Sequence, residues 1–193
     1  MAYRLITCRL RSLFDCVTLG NICNMKKVTV QLTSDPFENM ETHNTVAIYA
    51  PAIQEFPPEM MLDLIQLPLG NLNQLTASYI ASISKCDPKP SYCGVFALDP
   101  FIKWKDFLAQ IRGAGFHRIC NFPKLPAFGS EEADALLASG FSFQHELEVL
   151  VSFAEDGMDI LVVCSDQNEI RLAEDVLTGL PVEFCLIADI GTN

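Results

Sequence analysis

Asp99, Asn121 and the pair Glu146 and Glu148 have the residue types and spacing that could support chemistry. Asp99 closes an apolar run over residues 92–98, and Asn121 lies near the end of another over 117–122. In parallel α/β folds, ligands collect at the carboxyl ends of the strands, so both groups stand where a site is expected. A carboxylate at such a tip can hold a divalent cation such as Mg²⁺, or carry a proton to and from a substrate. Asp99 is also followed by Pro100, the pattern of an N-cap and first helical turn, so helix capping competes with the chemical reading. The Asn121 amide can bond a substrate or its own loop. Glu146 and Glu148 are two residues apart and diverge on either a helix or a strand, so at most one of them joins a common site. Lys124 is the nearest cation to Asn121, with a solvated lysine as the simpler reading; His145 is a candidate base, and His117, at a strand's amino end, reads as structural.

The elements that must position these groups follow from periodicity. Short β-branched or apolar runs predict strands over residues 28–32, 45–50, 92–98, 117–122, 159–164 and 183–188. Helical spacing predicts helices over 73–84, after Asp99-Pro100, and over 131–139, 146–154 and 169–177, with a further one after Pro57-Pro58. In the second of these, Trp104, Phe107, Leu108 and Ile111 make one apolar stripe, and Gly113 and Gly115 close it. Strand–helix alternation implies a parallel sheet, and leaves two architectures: an open doubly wound sheet, or a (β/α) barrel short of two strands.

A chain of 193 residues, half of them hydrophobic, is long enough to bury a core as one domain. Its formal net charge of −11 repels phosphate backbones and anionic lipid, which argues against nucleic-acid and membrane partners. The eight cysteines form neither CxxC pairs nor zinc spacing, and Cys93, Cys120, Cys164 and Cys185 fall in strands expected to be buried. That usage fits a reduced, cytoplasmic protein. Residues 1–24 stand apart: Arg4, Arg9 and Arg11 alternate with apolar residues, and Asp15 is the one acid. They read as an extension ahead of a domain over 25–193: a transit segment pointing to mitochondria, a surface helix, or sequence ahead of a true start at Met25.

Several pieces together resemble the phosphoenolpyruvate hydrolase-like TIM-barrel proteins. They are Ile48-Tyr49, the stretch from Leu67-Pro68-Leu69-Gly70 to Asn73, and Gly94-Val95 running on to Asp99-Pro100-Phe101. Gly115-Phe116, Asn121-Phe122-Pro123, Gly140-Phe141 and Glu146-Leu147-Glu148 follow in order. The resemblance implies an incomplete TIM barrel of about six strands. It also implies a small phosphorylated or carboxylate substrate, with Asp99, Asn121 and Glu148 as catalytic residues and Asp99 as the ligand if Mg²⁺ is used. Open sheet edges would be covered by self-association. The chain departs from the family pattern where an anion would be held. Residues 50–66 carry Glu55, Glu59 and Asp63 with no arginine, lysine or glycine, and residues 33–36 lack glycine. Asn71 stands where the family has a carboxylate, and Leu137 and Ala138 fall where it has glutamates. A non-catalytic relative that keeps the scaffold for binding or regulation, or a truncated product, is therefore the alternative expectation.

Overall fold

The computed structural model describes residues 7–8, 29–33, 45–51, 71–82, 91–124, 135 and 137–186. In chain order the elements are β1 (Thr7–Cys8), β2 (Thr29–Thr33), β3 (Thr45–Tyr49), α1 (Leu72–Ser82) and β4 (Ser91–Gly94). After them come α2 (Trp104–Gly113), β5 (Arg118–Cys120), α3 (Phe143–Glu155), β6 (Asp159–Cys164), α4 (Gln167–Val176) and β7 (Val182–Leu186). The helix expected after Pro57-Pro58 lies outside the described residues, as does most of the one expected over 131–139.

The strands form one seven-stranded sheet in the order β1-β2-β3-β4-β5-β6-β7. Every pair from β2 onward is parallel, with register such as Leu32 beside Ile48 and Ile119 beside Ile160. β1 is an antiparallel addition: Thr7 sits opposite Gln31 and Cys8 opposite Val30, so two residues of the expected extension join the sheet.

This order decides between the two architectures. A doubly wound sheet reverses its strand order at a switch point and carries helices on both faces. Here the order never reverses, and the buried residues of the helices fall in one cluster. Ile80, Phe107, Leu108, Ile111, Leu147, Leu150, Phe153, Ile170 and Ala173 pack with Tyr49, Cys93, Ile119, Ile160, Val162 and Cys164. The alternate strand residues Ile48, Tyr92, Cys120, Leu161, Val163 and Cys185 make a second cluster on the other face. Helices outside and strand side chains inside is barrel-type winding. The expectation of an open doubly wound sheet is overturned. No strand ladder joins β7 to the first strands among the described residues, so the barrel is not closed there.

Two expected strands are shorter in the structure because asparagine side chains take over their ladder. β4 stops at Gly94 and β5 at Cys120. Gly94 also marks a close approach: a Cβ on it would lie 2.5 Å from the Phe122 carbonyl oxygen and 3.2 Å from that of Tyr49. The chain leaving β5 therefore crosses the end of β4 at a distance only glycine permits. At the end of α2, Gly115 takes a φ of 95° while the Phe116 N–H donates back to the Ile111 carbonyl at 3.2 Å, a glycine-closed helix end. The N-cap of α2 is Lys103, with no side-chain bond, so Asp99 is not the cap of this helix.

Candidate functional site

Two asparagines organise the carboxyl end of the sheet by the same device. Asn73, in the first turn of α1, accepts from the Phe96 N–H through Oδ1 at 2.9 Å and donates from Nδ2 to the Phe96 carbonyl at 2.9 Å. Its second amide proton reaches Asp99 Oδ2 at 3.1 Å. Asn121, one residue past β5, accepts from the Val163 N–H at 2.7 Å and donates to the Val163 carbonyl at 3.1 Å. It also donates to Glu146 Oε2 at 2.7 Å. Each carboxamide thus imitates a neighbouring peptide group on one side and holds a carboxylate on the other. Both are buried, Asn121 completely.

Around Asn121 a charged cluster closes. Lys124, which a reading of the sequence would leave solvated, has a side chain only 4% exposed. Its Nζ donates to Glu169 Oε1 at 3.0 Å and lies 3.7 Å from Glu146 Oε2. The ammonium also sits 4.1 Å from the centre of the Phe143 ring, a cation–π distance. Glu146 and Glu169 come from the first turns of α3 and α4. Ser142 caps α3 by accepting the His145 N–H at 3.1 Å, which starts the helix three residues earlier than its apolar pattern suggests and turns Glu146 inward. Asp166 caps α4 through the N–H groups of Asn168 and Glu169. Burial pushes the Glu146 carboxyl up to about 7, against the pull of Lys124 and the Asn121 hydrogen bond, with Glu169 adding to the rise. Among the described residues, no buried side-chain nitrogen or oxygen is left without a partner.

Of the expected catalytic residues, Asn121 is in this cluster and Asp99 is in the other one. Among the described residues no hydrogen bond or ion pair joins the two. Glu148 lies elsewhere: its side chain is 60% exposed on the outer side of α3, 3.4 Å from His145 Nδ1. The glutamate placed against Asn121 is Glu146, because α3 is a helix and residues two apart on it point in different directions. His117 is exposed at the amino edge of β5. Burial raises the thiols of Cys93, Cys120 and Cys164, which disfavours the thiolate a nucleophile needs.

Asp99 does not build a metal cage. Its Oδ1 accepts the Phe101 N–H at 3.0 Å and its Oδ2 accepts from Asn73, so both oxygens brace the turn after β4. Among the described residues, no three His, Cys, Asp or Glu side chains gather where an ion could sit. Asp99 is thus a single carboxylate with both oxygens already accepting from the protein. Among the described residues, no cluster is present that would hold Mg²⁺ by protein ligands alone.

Fold and site together define a barrel-type α/β protein whose polar groups gather where the strands end. A sequence profile described as phosphoenolpyruvate hydrolase-like matches residues 64–176, more than half of the chain, and the chain belongs to that family. The chain is also similar to the uncharacterized protein y4oT of Sinorhizobium fredii, with 26% identity over 136 residues. The alignment covers 70% of this chain and 67% of that relative, so the two are of similar length. No helix among the described residues is long and apolar enough to cross a membrane.

What a reading of the sequence misses is the partner set of Lys124. Ser165-Asp166 followed by Glu169 is a readable helix start. Nothing in sequence spacing brings residue 124 to residues 146 and 169.

Proposed function

We propose that the protein is an enzyme acting on a small phosphorylated or carboxylate substrate, with Glu146 moving the proton. The observation that carries this reading is a buried carboxyl at the carboxyl end of a barrel-type sheet, poised near 7 by burial and held by Asn121 and Lys124. A group that titrates near neutral pH can both accept and return a proton, the requirement for general acid–base catalysis. Ionised Glu146 takes a proton from a substrate carbon or an attacking water and returns it to the leaving or protonated atom. Lys124 stays beside it as a fixed positive charge for the oxygen that gains negative charge. Asn121 holds the carboxyl in place and, through Val163, ties it to β6.

The test follows from the family resemblance: release of phosphate and pyruvate from phosphoenolpyruvate by wild type and by Glu146→Gln. A general acid–base contribution is about 10²–10⁴-fold, so the variant should lose at least about a hundredfold. Full activity in Glu146→Gln would remove the proton-transfer role.

A second reading, a non-catalytic relative, is favoured by one feature. Lys124 is already flanked by two carboxylates, and Asp99 has no Lys or Arg ion pair among the described residues. Ligand binding without turnover of any phosphorylated or carboxylate compound would support it.

A further inference from the structure

Lys124 is the buried cation among the described residues of an otherwise acidic protein. Arg118 lies at the opposite, amino end of the sheet, where it pairs with Asp159 at 3.5 Å in a solvent-exposed ion pair. Among the described residues, Lys124 is therefore the buried cation at the carboxyl end of β5 and β6.

The group now on Lys124 is itself a carboxylate held like a ligand. Glu169 accepts from Lys124 Nζ at 3.0 Å with one oxygen, and from the Ser165 N–H at 2.6 Å with the other. An ammonium and a backbone N–H, one on each oxygen, form a two-point carboxylate cradle. The members of the cluster differ in exposure. The side chains of Lys124 and Glu146 are each 4% exposed, while that of Glu169 is 23% exposed. Helix α4 does not depend on Glu169 for its cap, because Asp166 Oδ1 already accepts the N–H groups of Asn168 at 2.8 Å and Glu169 at 2.9 Å. Withdrawal of Glu169 would leave the Asp166 cap in place and free the Ser165 N–H for another acceptor.

We propose that Lys124 is the anchor for a substrate carboxylate, and that Glu169 is an internal carboxylate occupying that place until a ligand displaces it. The ligand class is a small carboxylate, whose two oxygens take over the Lys124 ammonium and the Ser165 N–H. Glu146 is then left beside the bound anion with Lys124 shared between them. The identity of this substrate anchor deepens the acid–base reading above, whereas occupancy of Lys124 by an anion does not depend on proton transfer.

The experiment is an acetate titration of the full chain followed by NMR, with inorganic phosphate as a second probe, on wild type, Glu169→Ala and Glu169→Gln. Removing the internal competitor should tighten acetate binding by about tenfold or more, with the largest shifts at the Ser165 amide and the Lys124 side chain. Glu169→Gln keeps an amide oxygen for the Ser165 N–H, and serves if Glu169→Ala does not fold. Acetate shifts at Ser165 and Lys124 of wild type read the same contact without any substitution. Equal affinity in wild type and both variants, or shifts that map away from Ser165 and Lys124, would overturn the anchor. Glu146→Gln separates the two proposals. Normal turnover in that variant, with acetate still bound at Lys124, removes the acid–base role and leaves the anchor. Loss of turnover with no acetate effect at Lys124 does the reverse.

Discussion

Glu146→Gln should flatten the dependence of stability on pH. In the folded protein the Glu146 carboxyl lies near 7, against an ordinary value of 4.5. The folded state therefore holds this proton more tightly than the unfolded chain does. Its contribution to stability is complete below pH 4.5 and is lost as pH rises through 7. At about 1.4 kcal/mol per pH unit, the whole effect is on the order of 3 kcal/mol. About 2 kcal/mol of it falls between pH 5.5 and 8, because the unfolded carboxyl is already mostly ionised at the lower limit. Glutamine keeps an oxygen for Asn121 and carries no ionisable proton, so the difference between wild type and variant isolates this one group. Urea unfolding followed by circular dichroism at pH 5.5, 6.5, 7.5 and 8 reads it out. With a slope of about 2 kcal/mol per molar, the wild-type midpoint should fall by about 1 M relative to the variant across that range. Parallel pH profiles for the two proteins would refute the raised carboxyl and, with it, the reason for giving Glu146 the proton.

Other substitutions test the groups that frame the site. Gly94→Ala places a methyl 2.5 Å from the Phe122 carbonyl oxygen, so the chain crossing β4 must move, at a cost of about 1–3 kcal/mol in a urea melt. Asp99→Ala removes the acceptor for Asn73 and for the Phe101 N–H and should cost about 1–3 kcal/mol; titration calorimetry with Mg²⁺ should give the same heat before and after the change. Asn121→Ala leaves both Val163 backbone groups and the Glu146 carboxyl without this partner, and should cost at least about 2 kcal/mol. Phe101 is 86% exposed, so Phe101→Ser should leave the urea midpoint within the usual range for surface changes, about 0.5 kcal/mol.

The sequence by itself was enough for the alternation of strands and helices, because apolar period and turn residues are local properties. Residues 159–164 form a strand over their whole expected length, and the stripe from Trp104 to Ile111 lies on a helix packed against the sheet. The family was legible in the order of short motifs such as Asn121-Phe122-Pro123. Barrel-type winding was legible only through that resemblance and not from periodicity, since strand order and the single helix-bearing face depend on crossovers that no local pattern records. The site was half legible. Asp99 and Asn121 could be picked out as polar groups at strand tips, but their work could not: each carboxylate or amide is committed to a partner 25 or more residues away, Asn73 to Asp99 and Asn121 to Glu146. Glu148, the glutamate taken from the family pattern, is exposed and Glu146 is buried, because the start of α3 at Phe143, under a Ser142 cap, sets which of the two faces inward. The environment of Lys124 depends on tertiary structure altogether, because burial and pairing with residues 146 and 169 exist only once α3 and α4 dock their first turns at the end of the sheet.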